Sequence, residues 1–273
     1  MRNKTLIIGK GFIGQRLQEA LGCNISGRML YSFKDAQREV KRYNPKILIN
    51  CIGYTGKRNV DDCELDKDFT LSSNAFMPIV LAEVALRNKI KFVHISSGCI
   101  YDYDYSKDKP LREEQIPLFF GLFYSRSKIY SEMALNTLAR KYNILIPRIR
   151  IPLDNRSHPK NILNKIIRYK KVIDIPNSVT YIPDFLKALE HLLKVDAKGI
   201  YNIVLKGGLR YPKLLDVYKK YHPDFKYKVI NYKQLKLVRT NLLLSTKKLE
   251  KTGFKVRSVK EILEECIKGY LQY

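Results

Sequence analysis

"LIIGKGFIGQRL", Leu6 to Leu17, decides how this chain is read. A short apolar run enters Gly9, Gly11 and Gly14 at the spacing G-x-G-x-x-G. Ile13, Leu17, Ala20 and Leu21 then recur at helical intervals. A strand, a tight glycine turn and an amphipathic helix in direct succession form the phosphate-binding corner of a dinucleotide fold. The first glycine permits the turn, the second lets a pyrophosphate approach the backbone, and the third lets helix and strand pack closely. The helix start, at Phe12 and Ile13, offers backbone N–H groups to the anion. The spacing alone also fits a glycine turn with no ligand; its place between strand and helix favours the dinucleotide.

Outward from that corner the same rhythm repeats. "KILINC", "KFVHIS" and "NILIPRIRI" read as strands, separated by helical patterns in "KDAQREVKRY", "NAFMPIVLAEVALRN" and "YSRSKIYSEMALNTLARKY". Alternation of this kind predicts an α/β fold, a Rossmann-type doubly wound parallel sheet covered by helices. Beyond Ile151 the pattern loosens. A helix is expected in "PKNILNKIIRYKK", a strand in "VIDI", a helix in "PDFLKALEHLLK" and a further main-sheet strand in "GIYNIV". The expected division is a dinucleotide-binding domain over 1–151 and a smaller C-terminal substrate-binding lobe over 152–273, with segments near 172–205 returning to the main sheet.

Composition narrows the function. The 273 residues carry a net charge of +25, yet the lysines are spread along the chain and basic clusters such as "RYKK" are short. A solvated basic surface that attracts small anions explains this better than specific nucleic-acid binding. Five cysteines without a C-x-x-C pair, and four scattered histidines, point away from a disulfide framework or a metal site and toward a reducing, cytoplasmic setting. No uninterrupted apolar run approaches the roughly 18 residues of a membrane span. The N-terminus does not read as a signal peptide. An acid near the end of the second strand would hold the ribose of NAD; the region "CNISGRML" offers Arg28 instead, which suits the extra phosphate of NADPH, with NADH as an admissible substitute.

The chemistry lies further on. In "FYSRSKIY", Tyr124 and Lys128 stand one helical turn apart, on one face. Ser97 directly follows "KFVHIS", at the end of that strand. This constellation resembles short-chain dehydrogenases/reductases. A carbonyl receiving hydride needs a proton; a phenol supplies it if a neighbouring ammonium lowers its pKa, and a hydroxyl steadies the carbonyl oxygen. "SSGCIYD" adds a thiol, Cys99, that a plain reductase does not need.

Together with "NCIGYTGKRNVDDCE", "FYSRSK", "RIRIPL", "NKIIRYKKVIDIPNS" and "GIYN", that loop resembles, over essentially the whole chain, the bifunctional UDP-4-keto-6-deoxyglucose 3,5-epimerase/4-reductases of rhamnose synthesis. The resemblance implies that Ser97, Tyr124 and Lys128 serve reduction. It further implies that Cys99 and Lys165 exchange protons at the sugar carbons flanking the ketone. The ketone acidifies those hydrogens, and inversion requires a base on one face and an acid on the other; which group plays which part stays open. Without the resemblance Cys99 reads as a small apolar filler, and Lys165 as one more solvated lysine. His158 and Lys160 stand close to Lys165 in sequence, and His158 reads as a loop residue beside Pro159.

Gly53, Thr55 and Arg58, after "ILINC", are expected over cofactor and substrate at the strands' carboxyl ends. The resemblance adds Asn74 near the cofactor, and Arg150 and Arg239 near the substrate, although "VRTNLLLSTKKL" lacks the proline and serine of the related segment. It implies a UDP-linked 4-keto-6-deoxyhexose substrate, a homodimer and a separate 4,6-dehydratase. The competing readings are a GDP- or dTDP-linked sugar, or a non-catalytic NADP-binding regulator.

Overall fold

The computed structural model describes residues 4–107, 109–234 and 238–273. The chain divides into two compact units, the first made of 1–100, 117–148 and 192–201, the second of 101–116, 149–191 and 202–273.

The first unit is built on strands β1 (Thr5–Ile8), β2 (Asn24–Ser26), β3 (Ile47–Asn50), β4 (Lys91–His94), β5 (Ser96–Ser97), β6 (Ile144–Ile149) and β10 (Gly199–Asn202). Their order is β2-β1-β3-β4-β6-β10, with β5 beside β6. The pairs β1–β2, β1–β3, β3–β4 and β4–β6 are parallel. Residues of β1 and β4 are buried without alternation, as expected of strands covered on both faces. The order reverses direction at β1, so a crevice opens beyond the carboxyl ends of β1 and β3, where ligands of such sheets bind. Helices α1 (Phe12–Leu21), α2 (Phe33–Tyr43), α4 (Met77–Arg87) and α5 (Phe123–Ala139) flank the sheet around a core of Leu6, Ile8, Leu48, Leu81, Phe92 and Ile146.

One helix departs from regularity. Between α3 (Lys67–Leu71) and α4 the backbone forms a π-turn, Ser72–Phe76. Pro78, near the start of α4, lacks an N–H and its ring would crowd the carbonyl four residues earlier, that of Asn74. Widening the ladder there relieves the conflict and turns Asn74 out of the usual helical face. The continuous helical run Lys67–Arg87, unlike any uninterrupted apolar run in the sequence, is long and apolar enough to cross a membrane by length and composition. It packs on α2, β3, β4 and α5, the position of a core helix.

The second unit has its own core, in which Leu153, Leu163, Val172, Tyr181, Leu214, Ile262 and Ile267 meet. Two short parallel ladders, β7 (Pro152–Leu153) with β9 (Thr180–Tyr181) and β8 (Lys171–Ile173) with β11 (Lys228–Ile230), join α6 (Ile162–Ile166), α8 (Tyr211–Tyr221), α9 (Lys247–Glu250) and α10 (Val259–Leu271). Helix α7 (Ile182–Lys194) ends in the first unit. Of the stretch 172–205, only 192–201 belongs to the first unit. The strand expected in "VIDI" does not join the main sheet. Its single buried residue, Val172, points into the second core while Lys171 faces solvent, a one-sided pattern that a sheet covered on both faces does not accept. The helix expected over 159–171 shrinks to α6, because Asn161 caps it by accepting from the Leu163 N–H.

Candidate active site

The glycine turn behaves as its spacing requires. Gly9 has φ +108°, and a Cβ there would lie 2.8 Å from the backbone of Cys51 and Ile52; a Cβ on Gly14 would lie 2.0 Å from the Gly9 carbonyl. These two glycines let β1, β3 and α1 approach closely. A Cβ on Gly11 would meet no protein atom within 4 Å among the described residues, so the backbone of the second glycine is exposed to a ligand. Helix α1 has Gly11 as its N-cap, with no side-chain cap hydrogen bond and no acid in its first turn, so its positive end favours an anion. The turn is tied to β2 by Gly9 N–H donating to the Ser26 carbonyl at 2.9 Å. Arg28 follows, with its side chain 63% exposed, paired to Glu39 of α2 at 3.3 Å. These residues fit a phosphorylated dinucleotide: an open glycine backbone, a positive helix end and an exposed guanidinium beyond β2.

Helix α5 carries a polar buried face, with Tyr124, Ser125, Ser127, Lys128, Ser131 and Glu132 all buried. Such a face needs partners. Glu132 accepts from Ser96 Oγ at 2.6 Å and receives the buried Arg148 guanidinium at 2.6 and 2.9 Å, binding α5 to β5 and β6. The start of α5 is capped from outside, by the Glu64 carboxylate accepting from Phe123 N–H at 2.6 Å. Burial is the main force on the Lys128 ammonium and brings its pKa down to about 8, against the opposing pull of Glu132 one turn later. A Cβ on Gly53 would stand 3.2 Å from Lys128 Nζ, so the lysine end lies beside the loop after β3.

Ser97 and Cys99 share one loop. Ser97 Oγ accepts from the Cys99 N–H at 3.1 Å, and the Cys99 carbonyl accepts from Ser125 Oγ at 2.5 Å. The serine thus shapes the turn that presents the thiol, the second bond fastens that turn to α5, and the Ser97 hydroxyl proton remains available to a carbonyl oxygen. Beneath these groups His94 is fully buried. Its Nδ1 faces the Asn50 amide at 3.0 Å, and burial, then the Lys128 charge, hold it neutral.

Two further residues of this unit are engaged within the protein. Asn74 is completely buried; it accepts from Tyr54 N–H at 2.8 Å and donates to the Tyr54 carbonyl and to Ser127 Oγ, so it braces the loop and α5. Arg58 is 80% exposed and bound to Asp62, whose carboxyl it draws down to about 2; it closes its own loop. Thr55 is half-buried in the same loop.

In the second unit Lys165 is half-buried on α6, and its pKa is lowered, first by burial and then by the charges of Lys160 and Arg239. His158 accepts from the Lys160 N–H at its Nδ1, 3.0 Å away, and its own N–H donates to Asn164 Oδ1; it organises the entry to α6. Arg239 donates to the Val238 carbonyl at 2.7 Å. Arg150 is 2% exposed, and its guanidinium donates to Asn177 Oδ1 and to both the hydroxyl and the carbonyl of Thr240, anchoring the segment before Asn241. Glu39, Glu64, Glu132 and Ser125 were not singled out from sequence. Each acts through a partner remote in the chain, and no local spacing marks them.

The RmlD substrate binding domain family model matches residues 9–174, and the chain belongs to that family. A bifunctional dTDP-4-dehydrorhamnose 3,5-epimerase/dTDP-4-dehydrorhamnose reductase of Arabidopsis thaliana is 32% identical over 277 residues, covering 94% of this chain and 90% of the relative. The trifunctional UDP-glucose 4,6-dehydratase/UDP-4-keto-6-deoxy-D-glucose 3,5-epimerase/UDP-4-keto-L-rhamnose-reductase RHM2 of the same plant is also 32% identical, over 95% of this chain; the chain spans about two fifths (41%) of that relative's length. The crystal structure of the L780 UDP-rhamnose synthase from Acanthamoeba polyphaga mimivirus superposes with a TM-score of 0.88 at 23% identity, covering 97% of this chain and 99% of that one. That likeness fixes the fold.

Proposed function

We propose that the chain is an NADPH-dependent oxidoreductase and isomerase of nucleotide-sugar metabolism. It inverts carbons 3 and 5 of UDP-4-keto-6-deoxyglucose and then reduces carbon 4, giving UDP-β-L-rhamnose. The observation that carries the reading is the Ser97–Cys99 turn fastened to α5 by Ser125, which sets a thiol and a carbonyl-binding hydroxyl in one rigid loop beside the helix of Tyr124 and Lys128. The names of the two plant relatives support the same pair of activities.

Each residue has a task. The glycine turn, the α1 N-terminus and Arg28 hold the cofactor, which when bound supplies the hydride for carbon 4. Ser97 and Tyr124 hold the carbonyl oxygen, first as enolate and then as alkoxide. Tyr124 delivers the proton that completes reduction, and the Lys128 ammonium beside it favours its ionised form. Cys99 and Lys165 take and return the protons at carbons 3 and 5. With its pKa lowered, Lys165 is neutral in a larger fraction of molecules than an exposed lysine, as a proton acceptor must be.

A separate 4,6-dehydratase that supplies the keto-sugar is part of the proposal, since these residues hold one G-x-G-x-x-G turn. A homodimer through α4 and α5 is part of the proposal, since Phe76 (58%), Ile79, Tyr130 (46%) and Met133 (52%) leave apolar surface exposed on those helices and the adjoining π-turn. A cytoplasmic setting goes with it. A second reading, a dTDP-linked substrate, is favoured by the name of the bifunctional relative. Product analysis by NMR with NADPH and the UDP-, dTDP- or GDP-linked keto-sugar decides among them. A rhamnoside from the UDP sugar at the highest kcat/KM supports the proposal; turnover of none of the three overturns it.

A further inference from the structure

A second place in the molecule gathers positive charge, and the reaction above uses none of its residues. An open cavity of about 480 Å³ in the second unit is lined by two segments, 112–114 and 245–251. Cavities of that size hold small organic ligands. The two segments are stitched together. Leu111 N–H donates to the Leu243 carbonyl and Ser245 N–H to the Leu111 carbonyl, each at 2.8 Å. The fully buried Asn202 donates its amide to the carbonyls of Leu111 and Ser245.

Four cations line the cavity: Arg112, Lys247, Lys248 and Lys251. The acids nearby do not neutralise them. Glu113 is 5% exposed and its Oε1 accepts from the Asn202 N–H at 3.0 Å, so that oxygen is engaged inside the protein. Glu250, the acid of α9, pairs with Lys206 at 2.5 Å and accepts from Thr246 Oγ1 at 2.9 Å. Arg112, Lys247 and Lys251 make no ion pair among the described residues, and Glu114 at the rim makes none either. Ser245 adds a directed donor. It is 7% exposed, its Oγ accepts from the Lys247 N–H at 3.4 Å, and its own proton has no acceptor among the described residues. A buried hydroxyl proton without an acceptor costs stability, which a ligand oxygen would restore.

We propose that this cavity binds an oligophosphate, a compound with two or more linked phosphate groups, apart from the dinucleotide turn. Four cations against two carboxyls leave a charge that a monoanion does not match. Ser245 donates to one phosphate oxygen, and Arg112 holds others through the paired N–H groups of its guanidinium. Lys247 and Lys251, four residues apart, flank the ligand as point charges. The segment before Ser245 is already anchored by Arg150 at Thr240 and by Asn177 at Asn241, so the ligand fastens its other end. The inference does not depend on the proposed reaction.

The test is calorimetric binding of inorganic triphosphate to the full chain at one fixed salt concentration, with excess NADP+ present to occupy the dinucleotide turn. Lys247→Gln/Lys251→Gln should weaken binding by about tenfold or more. Lys213→Gln/Lys219→Gln, which removes the same charge from exposed positions on α8, should leave it within about twofold. Ser245→Ala changes no charge and should weaken it by about fivefold. Sulfate at equal ionic strength should not displace the triphosphate. Equal losses in the two double variants would mean attraction to the basic surface as a whole and would overturn the site. No binding by the wild type, an unchanged Ser245→Ala or equal competition by sulfate would overturn it as well. Circular dichroism of each variant separates a folding defect from a binding one.

Discussion

Lys128 of the first unit and Lys165 of the second are both pushed toward the neutral amine by burial, and they differ in the company each keeps. Lys128 has the Glu132 carboxylate one turn along α5, itself held by Arg148 and Ser96, and this opposes the loss of its proton. Lys165 has Lys160 and Arg239, two further cations, which add to the effect of burial. At Lys128 the neighbouring charge opposes burial, and the pKa still falls to about 8; at Lys165 both neighbours act in the same direction as burial. The sign of the neighbouring charge decides only whether it adds to burial or opposes it.

The largest effect should come from removing the fixed charge. Lys128→Met should lower kcat for ketone reduction by about 10²-fold or more, and the fall in wild-type activity above about pH 8, where the ammonium is lost, should vanish from its profile. The same residue has a stability signature. Its folded-state pKa lies below the unfolded one, so the unfolded chain binds more protons between about pH 8 and the ordinary lysine range, and stability should rise with pH across that window. Thermal unfolding of the wild type against Lys128→Met checks this; an identical pH slope in both would contradict it.

Next in size is Lys165→Met. Solvent-proton exchange at one of the two carbons should drop by about 10²-fold, and reduction of a keto-sugar already inverted at both centres should stay within severalfold of the wild type. A smaller change sharpens the contrast of neighbours. Lys160→Ala and Arg239→Ala should each shift the alkaline-rising limb of the exchange profile to higher pH, since a cation that lowers the Lys165 pKa has been removed; a shift to lower pH would refute the assignment. The reverse construction, Glu132→Gln, should move the Lys128-dependent fall to lower pH, provided circular dichroism shows the helix intact. The smallest catalytic effect belongs to a brace. Asn74→Ala leaves the Tyr54 N–H without its acceptor and takes one donor from Ser127 Oγ, and should cost about 2 kcal/mol of stability by denaturant unfolding, with KM for the cofactor changing more than kcat.

What was legible in the sequence was local. The strand into Gly9, the helix out of Gly14 and the one-turn spacing of Tyr124 and Lys128 are written within a few residues, and the structure holds them as read. The Ser97–Cys99 turn is equally local, and there the serine also shapes the loop by accepting from the Cys99 N–H. The partners of Arg150, Asn74 and Arg58 within the protein were not legible. A guanidinium bound to Thr240 ninety residues away and an amide bound to Tyr54 twenty residues away look, in one dimension, like any other polar side chain near a site. The π-turn that aims Asn74 has a sequence cause, Pro78, but a proline at a helix start normally signals a beginning, not a widened ladder.

The decisive measurement is deuterium incorporation, followed by NMR, when UDP-4-keto-6-deoxyglucose is incubated in heavy water with the wild type and with Cys99→Ala, neither receiving cofactor. The account predicts label at carbons 3 and 5 with the wild type and loss of at least one of those signals with Cys99→Ala, while that variant still reduces the inverted ketone once NADPH is added. Equal labelling by both proteins would return Cys99 to packing and leave a reductase without the epimerase.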